Sequence, residues 1–136
     1  MTEVTSAVEN FLQERPTLTL GTLKRDGSPQ ASVLWYLWDR GEFVMSTVQW
    51  TAKWHNLKRD PRCSICVEEP ISGQMVVAYG NAVLQADGVR PRTHDIVDRY
   101  YDDSADTESH MDRIFATDDR VLISVRPATL ITRHLD

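Results

Sequence analysis

The sequence predicts a mainly β domain of the α+β class, a small barrel of six to seven antiparallel strands with short flanking helices. Three observations predict it. Short β-rich runs recur along the chain, tight-turn residues such as Asp26-Gly27 and Arg40-Gly41 separate them, and stretches of helical spacing fall between and beside them.

Taken in order, Val4, Ala7, Val8, Phe11 and Leu12 recur at helical spacing until Arg15-Pro16 stops the pattern, which predicts a helix over residues 3–14. Residues 17–23 alternate and predict the first strand, and Asp26-Gly27 turns the chain. Residues 31–38, aromatic at Trp35, Tyr36 and Trp38, predict a second strand, and 43–48 a third beyond the turn at 39–42. Two adjacent hairpins imply an antiparallel meander. A short helix over 51–60 follows, closed by Pro61, with Trp50, Trp54 and Leu57 forming one apolar stripe toward the sheet. Strands are expected at 63–68 and 75–85, helical structure over 90–116, and two last strands at 121–125 and 129–133 around Pro127. No repeat or linker interrupts the pattern, so residues 1–136 are expected to form a single domain.

Composition is that of a globular protein: 41% of the 136 residues are hydrophobic and 26% charged. A net charge of −5 argues against non-specific nucleic-acid binding. The charge is uneven, with Lys53, Lys58, Arg59 and Arg62 standing against Asp60 alone. Such a segment reads either as a local anion site or as a solvated helix face. The first residues lack a basic stretch followed by an apolar one, and no apolar run approaches the roughly 20 residues that span a bilayer. A cytoplasmic protein without membrane contact is expected.

Cys63 and Cys66 form a C-x-x-C on an expected strand, where residues three apart point to opposite faces. They can neither close a disulfide nor share a metal, and the four histidines lack ligand spacing. Packing is the expected role of both cysteines, and no metal is expected.

The stretch 44–57 carries the most chemistry. A strand ends in two hydroxyls, Ser46 and Thr47; a helix then begins at Thr51, with Lys53 in its first turn and Asn56 one turn on, on nearly the same side. Helix N-termini offer unpaired N–H groups and partial positive charge, which favour a phosphate. Singly, each residue also reads as a cap, a strand-end hydrogen bonder or a surface charge. Phosphate-loop, dinucleotide-fold and nucleophile-elbow motifs are absent, which leaves hydrolytic chemistry without residues and directs attention to a bound cofactor. The strand Trp35-Tyr36-Leu37-Trp38 reads as a wall for a ring system or as plain core. Tyr79 could donate a proton, but buried packing is the expected role.

Several pieces in order resemble the pyridoxamine-phosphate-oxidase-like split β-barrels, flavin/deazaflavin oxidoreductases of the B type in particular. They are Leu20-Gly21-Thr22-Leu23 with Asp26-Gly27-Ser28-Pro29-Gln30, then Trp35-Tyr36, Thr51-Ala52-Lys53, Asn56-Leu57-Lys58-Arg59-Asp60-Pro61-Arg62, Val76-Val77-Ala78-Tyr79-Gly80-Asn81-Ala82, and the closing run from Asp118 to Val125. The resemblance implies a homodimer with two cofactor sites at the interface. It implies that Ser46, Thr47, Thr51, Lys53 and Asn56 hold the cofactor phosphate, that Val33, Leu34 and Trp35 lie against its ring, and that Gln74 and Met75 add contacts. Thr51 stands where some relatives carry arginine. FMN and coenzyme F420 share a phosphate-bearing chain, so the phosphate site does not separate them. The basic segment, with Lys58, Arg59 and Arg62 available for an anionic glutamyl tail, and the nearest resemblance favour F420. The implied activity is hydride transfer to an unidentified small unsaturated substrate, with no catalytic side chain assigned. The alternatives are an FMN-dependent oxidase of pyridoxamine phosphate and a non-catalytic protein that binds the cofactor or haem.

Overall fold

The computed structural model describes residues 4–135. Helix α1 (Ser6–Glu14) starts where the Thr5 hydroxyl accepts from the Val8 amide at 3.3 Å, so the expected helical start moves inward; residue 3 lies outside the described residues. Val8, Phe11 and Leu12 turn its apolar side inward.

Strand β1 (Leu18–Leu23) buries Leu18, Leu20 and Thr22, the alternation seen in the sequence. It forms a hairpin with β2 (Pro29–Leu34) across the Asp26-Gly27 turn, where Asp26 accepts from the Ser28 amide and Gly27 takes a φ of 86°. The strand expected over 31–38 is in fact two. β2 stops at Leu34, opposite the first residue of β1, and β3 (Leu37–Asp39) belongs to the far edge of the sheet. The Tyr36 amide at the break donates to the Tyr100 hydroxyl at 2.9 Å, and its carbonyl accepts from Arg99 at 3.1 Å. Side chains from a distant helix thus satisfy the backbone that a ladder would otherwise have to pair. Alternation persists through the break, with Tyr36 and Trp38 fully buried, which is why the sequence reads as one strand.

Strand β4 (Glu42–Val48) pairs with β3, helix α2 (Ala52–Arg59) follows, and β5 (Arg62–Glu69) pairs with β6 (Gln74–Gln85). Helices α3 (Arg90–Asp98) and α4 (Ser104–Ile114) precede β7 (Arg120–Val125) and β8 (Thr129–Arg133). The strand order is β2-β1-β5-β6-β7-β4-β3, with β8 also on β6. The two N-terminal hairpins therefore sit at opposite ends of the sheet, and the expected meander is replaced by a mainly β split barrel of eight strands. Long β6 joins the halves, pairing with β5 and β8 through its first part and with β7 through Ala82 to Gln85. At Gly80 the β7–β8 connection crosses so closely that a Cβ would stand 2.9 Å from the Arg126 carbonyl oxygen.

The main core fills the barrel with side chains from α1, α2 and the strands, among them Trp38, Tyr36 and Phe43. A second, small cluster of Val44, Val89, Ile96 and Leu122 lies on the other side of β4 and β7, beneath α3. Trp54 and Leu57 of α2 are buried as the stripe requires, but Trp50 precedes the helix and is 71% exposed, its indole donating to Asp119. Cys63 is buried toward the core, where desolvation pushes its thiol up to about 11, and Cys66 is half-buried on the opposite face; both are free. No helix among the described residues is long and apolar enough to cross a membrane.

Candidate functional site

The junction between β4 and α2 is held from behind. The Gln49 amide donates to the Asp119 carbonyl at 3.0 Å, and the Thr51 amide and hydroxyl both donate to the Val48 carbonyl, at 3.1 and 2.8 Å. Thr51 is the N-cap by position, yet its side chain, turned back on the strand, makes no capping bond to the helix. The first-turn amides of α2 thus keep their donors free of a side-chain cap, the condition in which a helix end receives an anion. Lys53, in that turn, is half-buried, and burial lowers its pKa. Among the described residues no carboxylate pairs with it.

Asn56 departs from this group. Its side chain is buried, donating to the Thr22 hydroxyl at 3.1 Å and to the Gln30 amide oxygen at 2.7 Å while accepting from Arg59 at 3.0 Å. It braces α2 against the first hairpin, and all its protein-facing capacity is engaged there. Arg62 is likewise held, by Asp60 at 2.7 Å, and Arg59 also donates to the Leu23 carbonyl. Of the three cations considered for an anionic tail, only Lys58 makes no ion pair or side-chain hydrogen bond among the described residues.

Ser46 and Thr47, adjacent on β4, point to opposite faces. Thr47 is buried on the barrel side, 3.4 Å from the Thr51 hydroxyl. Ser46 faces outward into a cleft of about 230 Å³. Val33, Leu34 and Trp35 form one wall of that cleft and Ile96 and Val97 of α3 another, while His110 and Ile114 of α4 and Arg120 of β7 complete it. Four of the ten residues singled out from the sequence therefore meet in one cavity. Gln74 and Met75 do not join them; they open β6 opposite Glu69 and Glu68, and Gln74 donates to the His134 carbonyl.

Trp35 is held flat by Tyr100, stacked at 4.0 Å between centroids, with the His110 ring at 5.3 Å. His110 Nδ1 lies 3.1 Å from an Arg113 Nη and 3.0 Å from the Tyr101 hydroxyl. Arginine can only donate, so Nδ1 is the acceptor and the imidazole proton resides on Nε2. Burial, then the positive charges of Arg113 and Arg120, lower the pKa of His110. Burial also lowers that of Arg120, whose Nη1 lies 3.4 Å from the Ser46 hydroxyl and whose shielded Nε has no partner. Neither His110 nor Arg120 was marked by the sequence. Tyr79 is 48% exposed on the outer face of the sheet, so it is not the buried packing residue expected, and it does not line this cleft.

The family model for pyridoxamine 5'-phosphate oxidase matches residues 4–134. Among solved structures the chain is similar to an F420 reductase, 24% identical over 90% of this chain and 94% of that one, with a TM-score of 0.72. It is similar to a conserved hypothetical protein from Mycobacterium tuberculosis, 25% identical over 97% of this chain and 84% of that one, with a TM-score of 0.77. It also resembles the haem-storage protein HutZ from Vibrio cholerae, 16% identical over 98% and 97% of the two chains, at a TM-score of 0.75.

Proposed function

This chain belongs to the pyridoxamine 5'-phosphate oxidase family, and from that premise we propose that it is an F420-dependent oxidoreductase acting on a small unsaturated substrate. One observation carries the reading: the end of β2 and the outer face of β4 meet in a cleft, and β4 runs on into a helix whose first turn bears an uncapped N-terminus and an unpaired lysine. The donor set fits a ligand with a flat ring and a phosphoryl group. Val33, Leu34 and Trp35 offer the ring an apolar and aromatic wall, and Lys53 with the α2 amides offers charge and donors to the phosphate. Hydride transfer is the chemistry the coenzyme supplies when bound. The chain's part is to fix its position and to exclude water with Ile96, Val97 and Ile114.

We further propose a homodimer. A cleft of about 230 Å³ is smaller than the roughly 300–1,000 Å³ of ordinary ligand pockets, so one chain supplies part of a wall. The outer face of β2-β1-β5-β6-β8 carries uncharged apolar and hydroxyl-bearing side chains across its middle, in rows running Ala31–Gly21–Ser64–Tyr79–Thr129 and Val33–Thr19–Cys66–Val77–Ile131. Val33, at the cleft, belongs to this face and is 69% exposed. A second copy packed there would cover it, and is the route by which Gln74 and Met75 would reach the cofactor.

Haem is the competing ligand, and His110 is its candidate axial group. The geometry opposes it: iron-binding histidines donate their second N–H to an acceptor, whereas Arg113 donates to Nδ1 and so keeps the proton on Nε2. Titrating the purified protein with F420, FMN, FAD and haem, followed by tryptophan fluorescence and absorbance, tests the proposal. F420 is expected to bind, with FMN weaker, and Lys53→Ala to weaken F420 about tenfold, in keeping with roughly 1.5 kcal/mol for a charged hydrogen bond. A Soret band with haem and silence from F420, FMN and FAD would overturn it.

A further inference from the structure

We propose that Arg120, with Ser46 and His110, forms a second anion site, distinct from the α2 terminus, that receives a carboxylate on a flat, apolar substrate. The inference rests on the reading above only in calling this ligand the substrate; the anion site itself stands on the cleft. No acidic side chain lines the cavity. The neighbouring carboxylate of Asp119 accepts instead from the Trp50 indole at 3.1 Å and the Thr117 hydroxyl at 2.8 Å. Arg120 is left half-buried with one long bond, 3.4 Å, to the Ser46 hydroxyl, and with its Nε shielded and unpartnered. Asp119 offsets only part of that desolvation by its charge and makes no ion pair with Arg120 among the described residues, so burial still lowers the arginine's pKa, and a ligand anion at the unpartnered nitrogen removes the remaining penalty.

The register separates this site from the helix terminus. Arg120 pairs with Val48 at the end of β4, but its guanidinium reaches back to Ser46, two residues up the strand and roughly 7 Å from that end at ~3.3 Å per residue. The Ser46 hydroxyl lies 3.4 Å from the guanidinium, and His110, whose Nε2–H is able to donate, lines the same cleft, its ring held from the other nitrogen by Tyr101 and Arg113. Trp35, beside the His110 ring, and Ile96 and Ile114 line the rest of the cleft. Arginine forks match carboxylates in two-point geometry, and the remaining wall is apolar and aromatic. The ligand so described is an aromatic or conjugated acid with its charge at one end.

Benzoate, its neutral counterpart benzyl alcohol, and inorganic phosphate serve as probes, read by the fluorescence of Trp35 on the cleft wall. Benzoate is expected to quench saturably and at least tenfold more tightly than benzyl alcohol or phosphate. Arg120→Gln should weaken benzoate tenfold or more, and Arg120→Lys by less, with F420 affinity held within twofold in both. Unchanged benzoate binding in Arg120→Gln, equal binding of the alcohol, or no saturable quenching overturns the site. Equal loss of F420 and benzoate in Arg120→Gln, with F420 displacing benzoate, assigns the anion to the coenzyme and overturns the substrate reading. Arg120→Lys melts as a charge-retaining control, so a folding failure of the glutamine variant does not mask the result. Benzoate bound through Arg120 while F420 and FMN fail to bind would leave this site standing and sink the proposed function instead.

Discussion

The two faces of β4 present two kinds of environment seven residues long. Phe43, Met45 and Thr47 face the barrel, where the neighbours are Tyr36, Trp38 and the alternate residues of the other strands, nearly all fully buried. Val44, Ser46 and Val48 face outward, where the cluster is four residues deep and borders a cleft with a shielded, unpartnered Arg120 nitrogen. Inside, each polar group is answered: the Tyr36 hydroxyl, whose pKa burial pushes up to about 12, donates to the Leu12 carbonyl at 2.5 Å, and Thr22 accepts from Asn56. Outside, the Nε of Arg120 at the cavity wall has no partner; the Nε of Arg15, just past the end of α1, is likewise shielded and unpartnered. A strand whose one face obeys every packing rule and whose other face breaks them separates what holds the fold from what the fold holds.

Substitutions on the two faces should therefore fail in different assays. Phe43→Ala is expected to lower unfolding free energy in urea by about 3–5 kcal/mol, since a large buried ring leaves a cavity among rigid neighbours. Ser46→Ala, three residues on, should shift it by less than ~1 kcal/mol while changing ligand affinity. Equal stability losses in the two variants would abolish the distinction. A smaller effect on the fold, and a larger one on assembly, is expected from Ile131→Asp on the outer sheet face. Light scattering should show a dimer becoming a monomer that still melts cooperatively. A wild-type chain that is monomeric at micromolar concentration would show that this apolar face serves something other than self-association.

The same division governs what the amino-acid sequence discloses. Strands β1, β4, β5 and β6 are legible because Leu18-Leu20, Phe43-Met45, Cys63-Ile65-Val67 and Val76-Ala78 alternate toward one core, a signal carried within each strand. Where alternation outlives pairing it misleads, as at Trp35-Tyr36, whose backbone is claimed by Arg99 and Tyr100 more than sixty residues away. Helical spacing places Asn56 near Lys53, but only the packed helix shows it turned into the hairpin. His110 and Arg120 leave no local trace at all. One lies in an acidic helical stretch and the other opens a strand; the pairing of Val48 with Arg120 brings the second to Ser46, and the placement of α4 brings the first to the same cleft. Trp35 and Ser46 stand out in the sequence as an aromatic strand and a strand-end hydroxyl, whereas Val33 and Leu34 enter only through the family resemblance, which carries long-range information that spacing does not.

The finest test of the contrast is acid stability. His110 belongs to the cleft, where burial first, and the cations of Arg113 and Arg120 second, hold its folded pKa below the ordinary 6.5. The unfolded chain then binds a proton before the folded one does, so this group's contribution is fully present above pH 6.5 and is lost as pH falls through the depressed folded value. Inside the barrel, burial pushes Tyr36 and Cys63 upward instead, away from this window. Melting temperature measured from pH 7.5 down to 5 should accordingly fall less in His110→Asn than in the wild type, a small difference confined to the acid side. Benzoate should reduce it further, because an anion beside Arg120 removes part of the repulsion that keeps the imidazole neutral. If His110→Asn and the wild type lose stability in parallel, the cleft's electrostatics are not set by the two arginines, and the outer face of β4 differs from the inner one in packing alone.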